Sequence, residues 1–230
     1  MLTAILYISI LFNTSFDSQI RDHCEKLKDI KSFVSYIQEN NFTNEQKVRA
    51  STIFICQKID YPIDVSSHQL SKDPNTILST KEGVCYEYSI LFKALCDSLN
   101  IRCEIIQGIT NEHYSYYLVS KKLGYLHAWN IVYIDNTPHL IDVTWCDEEN
   151  KIDEQWYLSD PTEFILTHYP LGKAIMILEY NLLSRFEQVY HSNYTQVINK
   201  NQEFKDECKA NYKYQLLNKP VSFKKFNGIK

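Results

Sequence analysis

The chain has 230 residues, 44% of them hydrophobic, which is enough for one globular domain with a sizeable core, alone or with an appended segment. A net charge of −4, without any long block of like charge, excludes a nucleic-acid footprint and an electrostatic membrane-surface binder. Five glycines and six prolines exclude a fibrous or low-complexity chain.

The N-terminus, MLTAILYISILFNTSFDSQI, opens on an uncharged apolar run over residues 2–12. That length suits the apolar core of a signal peptide and is too short to cross ~30 Å of hydrocarbon as a helix. The expectation is a leader over residues 1–16, a secreted protein, and no membrane-spanning segment in the mature chain. No Lys or Arg precedes the run and no A-x-A site follows it, so a buried first element is the alternative. Residues 18–38 read as one helix, with Ile20, Leu27, Ile30, Phe33 and Ile37 at helical spacing. Thr43 followed by Gln46 is a capping-box start for a second helix to about Ile59, with Val48, Ile53, Ile55 and Ile59 apolar. Tyr61-Pro62 ends it, and the polar stretch 64–74 reads as a loop.

The segment KEGVCYEYSILFKALC, residues 81–96, begins a third helix. Tyr88, Phe92, Leu95 and Leu99 form one buried face, and Asn100 is a stop. From there the apolar period becomes two. Residues 101–108, 114–120, 126–134 and 139–145 read as strands. Helices followed by an antiparallel sheet define an α+β class. Asp160-Pro161-Thr162-Glu163 looks like another helix start, a helix is expected over 174–189, and the polar tail is unassigned. The domain is therefore placed at 17–190, with 191–230 as an extension.

Seven cysteines (24, 56, 85, 96, 103, 146 and 208) leave at least one free thiol in an oxidising compartment and allow up to three disulfides among the other six. No C-x-x-C spacing points to zinc. Cys85 falls in the first turn of its helix, where free amides and the positive dipole end favour a thiolate and can bind an oxyanion. Cys96 lies three turns further, about 16 Å along the axis. That is too far to bridge to Cys85, and Cys96 reads as structural.

A thiolate needs a base and an orienting group. If Asp135-Asn136 makes a two-residue hairpin, Ile134 pairs with Thr137, and Asp142 becomes the diagonal neighbour of His127 on one face. A four-residue turn keeps that face, whereas a three-residue turn separates them. Singly, a cysteine in an apolar helix and a histidine in a strand are usually inert core residues. A carboxylate inside LIDVTW is harder to dismiss, because burying it unpaired is costly. His168, in THYP, is a candidate supporting group behind the site, with a packing or surface role the preferred reading. The acidic run at 147–149 lacks the EF-hand pattern and reads as a solvated loop. No metal or cofactor is expected.

Taken together, GVCYEYSILFKALCDSLNI, HAWNIVYI and LIDVTW resemble the core of the transglutaminase-like superfamily. NEQKVRASTIFICQKIDY is similar to that family's preceding helix, and WYLSDPTEFILTHYP to the segment after the core in the kyphoscoliosis-peptidase branch. The resemblance covers about residues 43–170. It implies a papain-like α+β fold, with Cys85 as nucleophile, His127 as base and then acid, and Asp142 as orienting carboxylate. It also implies a protein or peptide substrate, with hydrolysis or transamidation as the outcome. Trp129 and Trp145 sit in the motifs as core packing. Glu87 departs from the family's usual glycine two positions after the cysteine, which leaves a silent binding domain as the alternative to an enzyme.

Overall fold

The computed structural model describes residues 15–65, 67–110, 127–149, 151–159, 164 and 167–170. The apolar run at 2–12, the strand expected at 114–120, the helix start at 160–163, the helix at 174–189, the tail and Cys208 lie outside those residues.

Two helices stand where one was expected over 18–38. Helix α1 covers residues 15–24 and α2 covers Ile30–Glu39. Asp29 divides them: its Oδ1 accepts the Ser32 amide at 2.7 Å, and Ser32 Oγ accepts the Asp29 amide at 3.3 Å. This reciprocal cap starts a new helix more favourably than the old one continues. Phe16, Ile20 and Cys24 recur every four residues and are buried as one stripe of α1. Phe16, inside the expected leader, thus belongs to the core, edge-on to Phe42 at 5.3 Å.

Helix α3, Asn44–Lys58, starts on the expected Thr43–Gln46 capping box. Every residue from Val48 to Ile55 is buried, so α3 is the central rod of the domain. Its polar members are satisfied internally. Ser51 and Thr52 donate to the carbonyls four residues back, at 2.8 and 3.0 Å. Arg49 is held by Asp17 and Glu154 and lies 4.6 Å over the Tyr157 ring.

The described residues of 64–73 form the expected loop, and a short helix, α4, Pro74–Thr80, follows it where no element was expected. Asp73 caps it, accepting the Thr76 amide at 2.9 Å, and Pro74 takes its first position. Helix α5, Cys85–Ser98, follows, with Tyr88, Phe92, Leu95 and Leu99 buried as expected. Asn100, at φ 59°, ends it in the left-handed region.

The sheet contains β1 (Cys103–Thr110), β2 (His127–Ile134), β3 (Thr137–Ile141) and β6 (His168–Pro170) in the order β3-β2-β1-β6, all antiparallel. Strands β4 (Asp147–Glu148) and β5 (Lys151–Ile152) form a small separate ribbon. Asp135 and Asn136, at φ 49° and 67°, make the two-residue turn, and Ile134 pairs with Thr137. Strand β3 stops at Ile141 instead of 145. The Asp142 carboxylate captures the amides of Thr144 and Trp145 at 3.0 and 3.2 Å, which turns the chain out of the sheet. Every residue of β2 is buried, and α5 packs on this sheet.

Candidate active site

Cys85 is the first residue of α5 and is partly exposed. The amides of Cys85 and Tyr86 meet no acceptor among the described residues, as expected for a first helical turn. The helix start itself is built by the residue that the sequence made suspect. Glu87 is 1% exposed and turns back under the turn. Its Oε2 accepts the Val84 amide at 2.9 Å and lies 2.5 Å from His68 Nε2, while Oε1 accepts the Ser71 amide at 2.7 Å. All its charge is engaged beneath the turn, where it cannot recharge a cleft. Gly83 follows from this packing: a Cβ there would meet Glu87 Cβ at 3.1 Å and Ile59 Cδ1 at 3.3 Å.

His127 opens β2, opposite Gly108 of β1. Its Nε2 lies 2.5 Å from Asp142 Oδ2, and both residues are buried. That leaves Nδ1 for the sulfur. Burial alone pulls His127 down, but the Asp142 charge and hydrogen bond, with those of the Cys85 thiol, outweigh it and hold the imidazole at about 10. Burial pushes Asp142 up, yet His127 and His168 outweigh that and hold it well below the usual carboxylate range. The diagonal His127–Asp142 relation expected from the hairpin is therefore met through the turn after β3 rather than along a continuous strand.

The sequence favours a packing or surface role for His168 over a supporting one, and the structure reverses that order. In the structure it is 1% exposed, with Nε2 3.0 Å from the same Oδ2 of Asp142. Asp142 thus accepts four hydrogen bonds, two from imidazoles and two from amides. No periodic signal could have revealed this, since β6 is three residues long and lies 26 positions beyond Asp142. The sequence clue was a histidine among apolar and aromatic residues in FILTHYP.

Burial pushes Cys24 up to about 12 and raises Cys56, Cys96 and Cys146 well above their ordinary value. All six described cysteines are free thiols, so the disulfides that the sequence allowed are not found among the described residues. The ligand atoms of His127, Asp142 and His168 gather within 4.8 Å. The 2.5 Å separation of His127 and Asp142 is a hydrogen bond, shorter than the roughly 3.3 Å between two ligands of one zinc ion. These groups bond to one another rather than frame a metal. A polar cavity of about 530 Å³ lined by Asn44, Arg102, Tyr133 and Asp135 lies at the hairpin end, away from this cluster. His127 is at the opposite end of β2, roughly 23 Å off.

A thiol on a helix start, facing an imidazole and a carboxylate carried by an antiparallel sheet, defines an α+β fold of the papain type. Residues 31–161 match the family model described as the transglutaminase-like superfamily, and the chain belongs to that superfamily. It is similar to Kyphoscoliosis peptidase of Mus musculus, 28% identical over 178 residues, 71% of this chain and 27% of that protein. It is also similar to cytokinesis protein 3 of Schizosaccharomyces pombe, 24% identical over 168 residues, 68% of this chain and 19% of that one. The chain thus spans about a quarter or less of the curated relatives it matches. A solved TGase aligns at 19% identity with a TM-score of 0.38, over 61% of this chain and 34% of that one.

Proposed function

We propose that this domain is a cysteine peptidase of the transglutaminase-like type, acting through Cys85, His127 and Asp142 on a protein or peptide carbonyl. The observation that carries the reading is the buried Asp142, which holds His127 at 2.5 Å while the imidazole's other side faces the Cys85 thiol. Such a relay forms a thiolate–imidazolium pair. The thiolate attacks the carbonyl carbon, and its oxygen takes the negative charge beside the first-turn amides of α5. As the carbonyl re-forms, the C–N bond breaks and the His127 imidazolium gives its proton to the leaving amine. Water, deprotonated by His127, then hydrolyses the thioester and releases the acid.

A polypeptide substrate is favoured by the segment hooked onto this helix start. Tyr61, Ile63, Val65 and Leu70 are the exposed large apolar side chains there, and Tyr61 lies within the fields of Cys85 and Asp142. Transamidation differs only in the acceptor: a lysine amine in place of water attacks the same thioester. Kyphoscoliosis peptidase is described as a peptidase, and this favours hydrolysis. The engagement of Glu87 beneath the helix weakens the case for a silent domain.

Secretion is proposed from the apolar run alone, with leader cleavage ahead of α1, because Phe16 and Asp17 are built into the core. An intact mass that still includes residues 1–14 after passage through a secreting host overturns it. The test of function is iodoacetamide labelling across pH. Cys85 is expected to alkylate well below pH 8 and to lose that reactivity in His127→Ala; an ordinary thiol profile sinks the enzyme. Peptide cleavage against amine incorporation, measured on one denatured protein substrate, separates the two acceptors.

A further inference from the structure

We propose that His168 is a positioning residue for the His127–Asp142 pair: a second, neutral N–H donor that fixes Oδ2 of Asp142 and takes up part of its charge. The placement begins with strand register. His127 pairs with Gly108 and His168 with Thr110, on the two sides of β1. Gly108 and Thr110 are two residues apart, so both histidines stand on one face of the sheet. The side-chain-free glycine separates them. Asp142 arrives on the same face from the turn after β3, and one oxygen receives both rings, at 2.5 and 3.0 Å.

The protonation state of His168 follows from its surroundings. Phe164 stacks on it at 4.0 Å, and the edges of Trp145, Trp129 and Trp156 close around it at 4.6, 5.0 and 5.4 Å. Burial in this box, the largest influence, lowers His168; Asp142 opposes that and the His127 charge reinforces it. The charged or titratable groups facing it are therefore Asp142 and His127, with Cys85 beyond His127. Ionised Asp142 can only accept, so His168 carries a hydrogen on Nε2; in the neutral ring Nδ1 is bare and takes the Thr167 hydroxyl's hydrogen at 2.8 Å, in place of the longer 3.1 Å bond from that hydroxyl to the Phe164 carbonyl. A neutral donor stabilises the carboxylate without setting a second cation against His127. It also tempers the basicity of His127, which must release its proton to the leaving amine.

The proposal rests on the triad reading, but its readout at His127 requires no turnover. Imidazole ¹³C resonances of the full chain are titrated by NMR in wild type, His168→Phe, His168→Met and His168→Gln, with His127→Gln assigning the signal. Iodoacetamide labelling of Cys85 is followed in parallel. Removal of the N–H donor in the Phe and Met variants is expected to raise the His127 midpoint by about one pH unit. Glutamine, whose amide reaches the same place, is expected to restore the wild-type midpoint. A His127 midpoint that stays put in both donor-free variants, or that moves as far with Gln as with Phe, overturns the proposal. If Phe does not fold, Met and Gln make the same comparison. Fast labelling with an unmoved His127 defeats the positioning role alone; ordinary labelling with a shifted His127 defeats the triad alone.

Discussion

At the scale of single residues, the site is decided by where each carboxylate finds its partners. Asp142 is fully buried and still ionised because four donors replace its water. Asp142→Asn removes the charge that holds His127 high. Cys85 labelling at pH 6 is expected to fall by at least about tenfold, read as the rate against wild type. Glu87 has the opposite employment. Three partners and 1% exposure make it a strut between α5 and the segment before α4. Glu87→Ala leaves the Val84 and Ser71 amides and the His68 ring without their acceptor. It is expected to cost about 3 kcal/mol in a denaturant melt and to speed proteolysis between Tyr61 and Asp73. An unchanged midpoint would show that the strut is idle. The sequence marked Glu87 as a departure but not its direction, because a third helical position can serve either the cleft or the cap.

At the scale of elements, what was legible followed from local rules. The Thr43–Gln46 box, the 135–136 hairpin and the buried face of α5 are each set by residues within a few positions of one another, and all three stand as expected. The failures are competitions between local signals. Asp29 is a helix cap inside a stretch whose wider pattern reads as one helix, and Asp73, at the end of the expected loop, caps a short helix in a stretch without a pattern of its own. Strand β3 was read too long because the apolar alternation through Val143 gives no sign that Asp142 will turn its carboxylate onto its own chain. Edge strand β6, and with it His168, depends wholly on distant pairing and left no periodic trace. Helix α3 shows the cost of a polar group at the centre: Arg49 draws Asp17 of α1 and Glu154 against the rod. Arg49→Ala strands Asp17, only 17% exposed, and is expected to lose about 3 kcal/mol by chemical denaturation, with α1 the first element to lose amide-exchange protection.

At the scale of the whole molecule, the buried groups combine into one pH signature on the alkaline side. His127 is held at about 10 against 6.5 for a free imidazole. Between those values the folded chain keeps a proton that the unfolded chain releases, so stability is fully present below pH 6.5 and falls as pH rises toward 10. The slope is at most about 1.4 kcal/mol per pH unit for that one proton. Cys24, Cys56, Cys96 and Cys146, all pushed up by burial, add the same sign only above about pH 9, where unfolded thiols ionise and folded ones do not. Stability is therefore expected to decline gently from pH 6.5 to 9 and more steeply beyond. His127→Gln should flatten the first limb and leave the second untouched, because the thiols lie apart from the imidazole that titrates first. Urea midpoints collected from pH 6 to 10.5 on both proteins read the two limbs separately. A first limb that persists in His127→Gln would place the proton elsewhere and remove the main support for a cationic His127 in the resting protein.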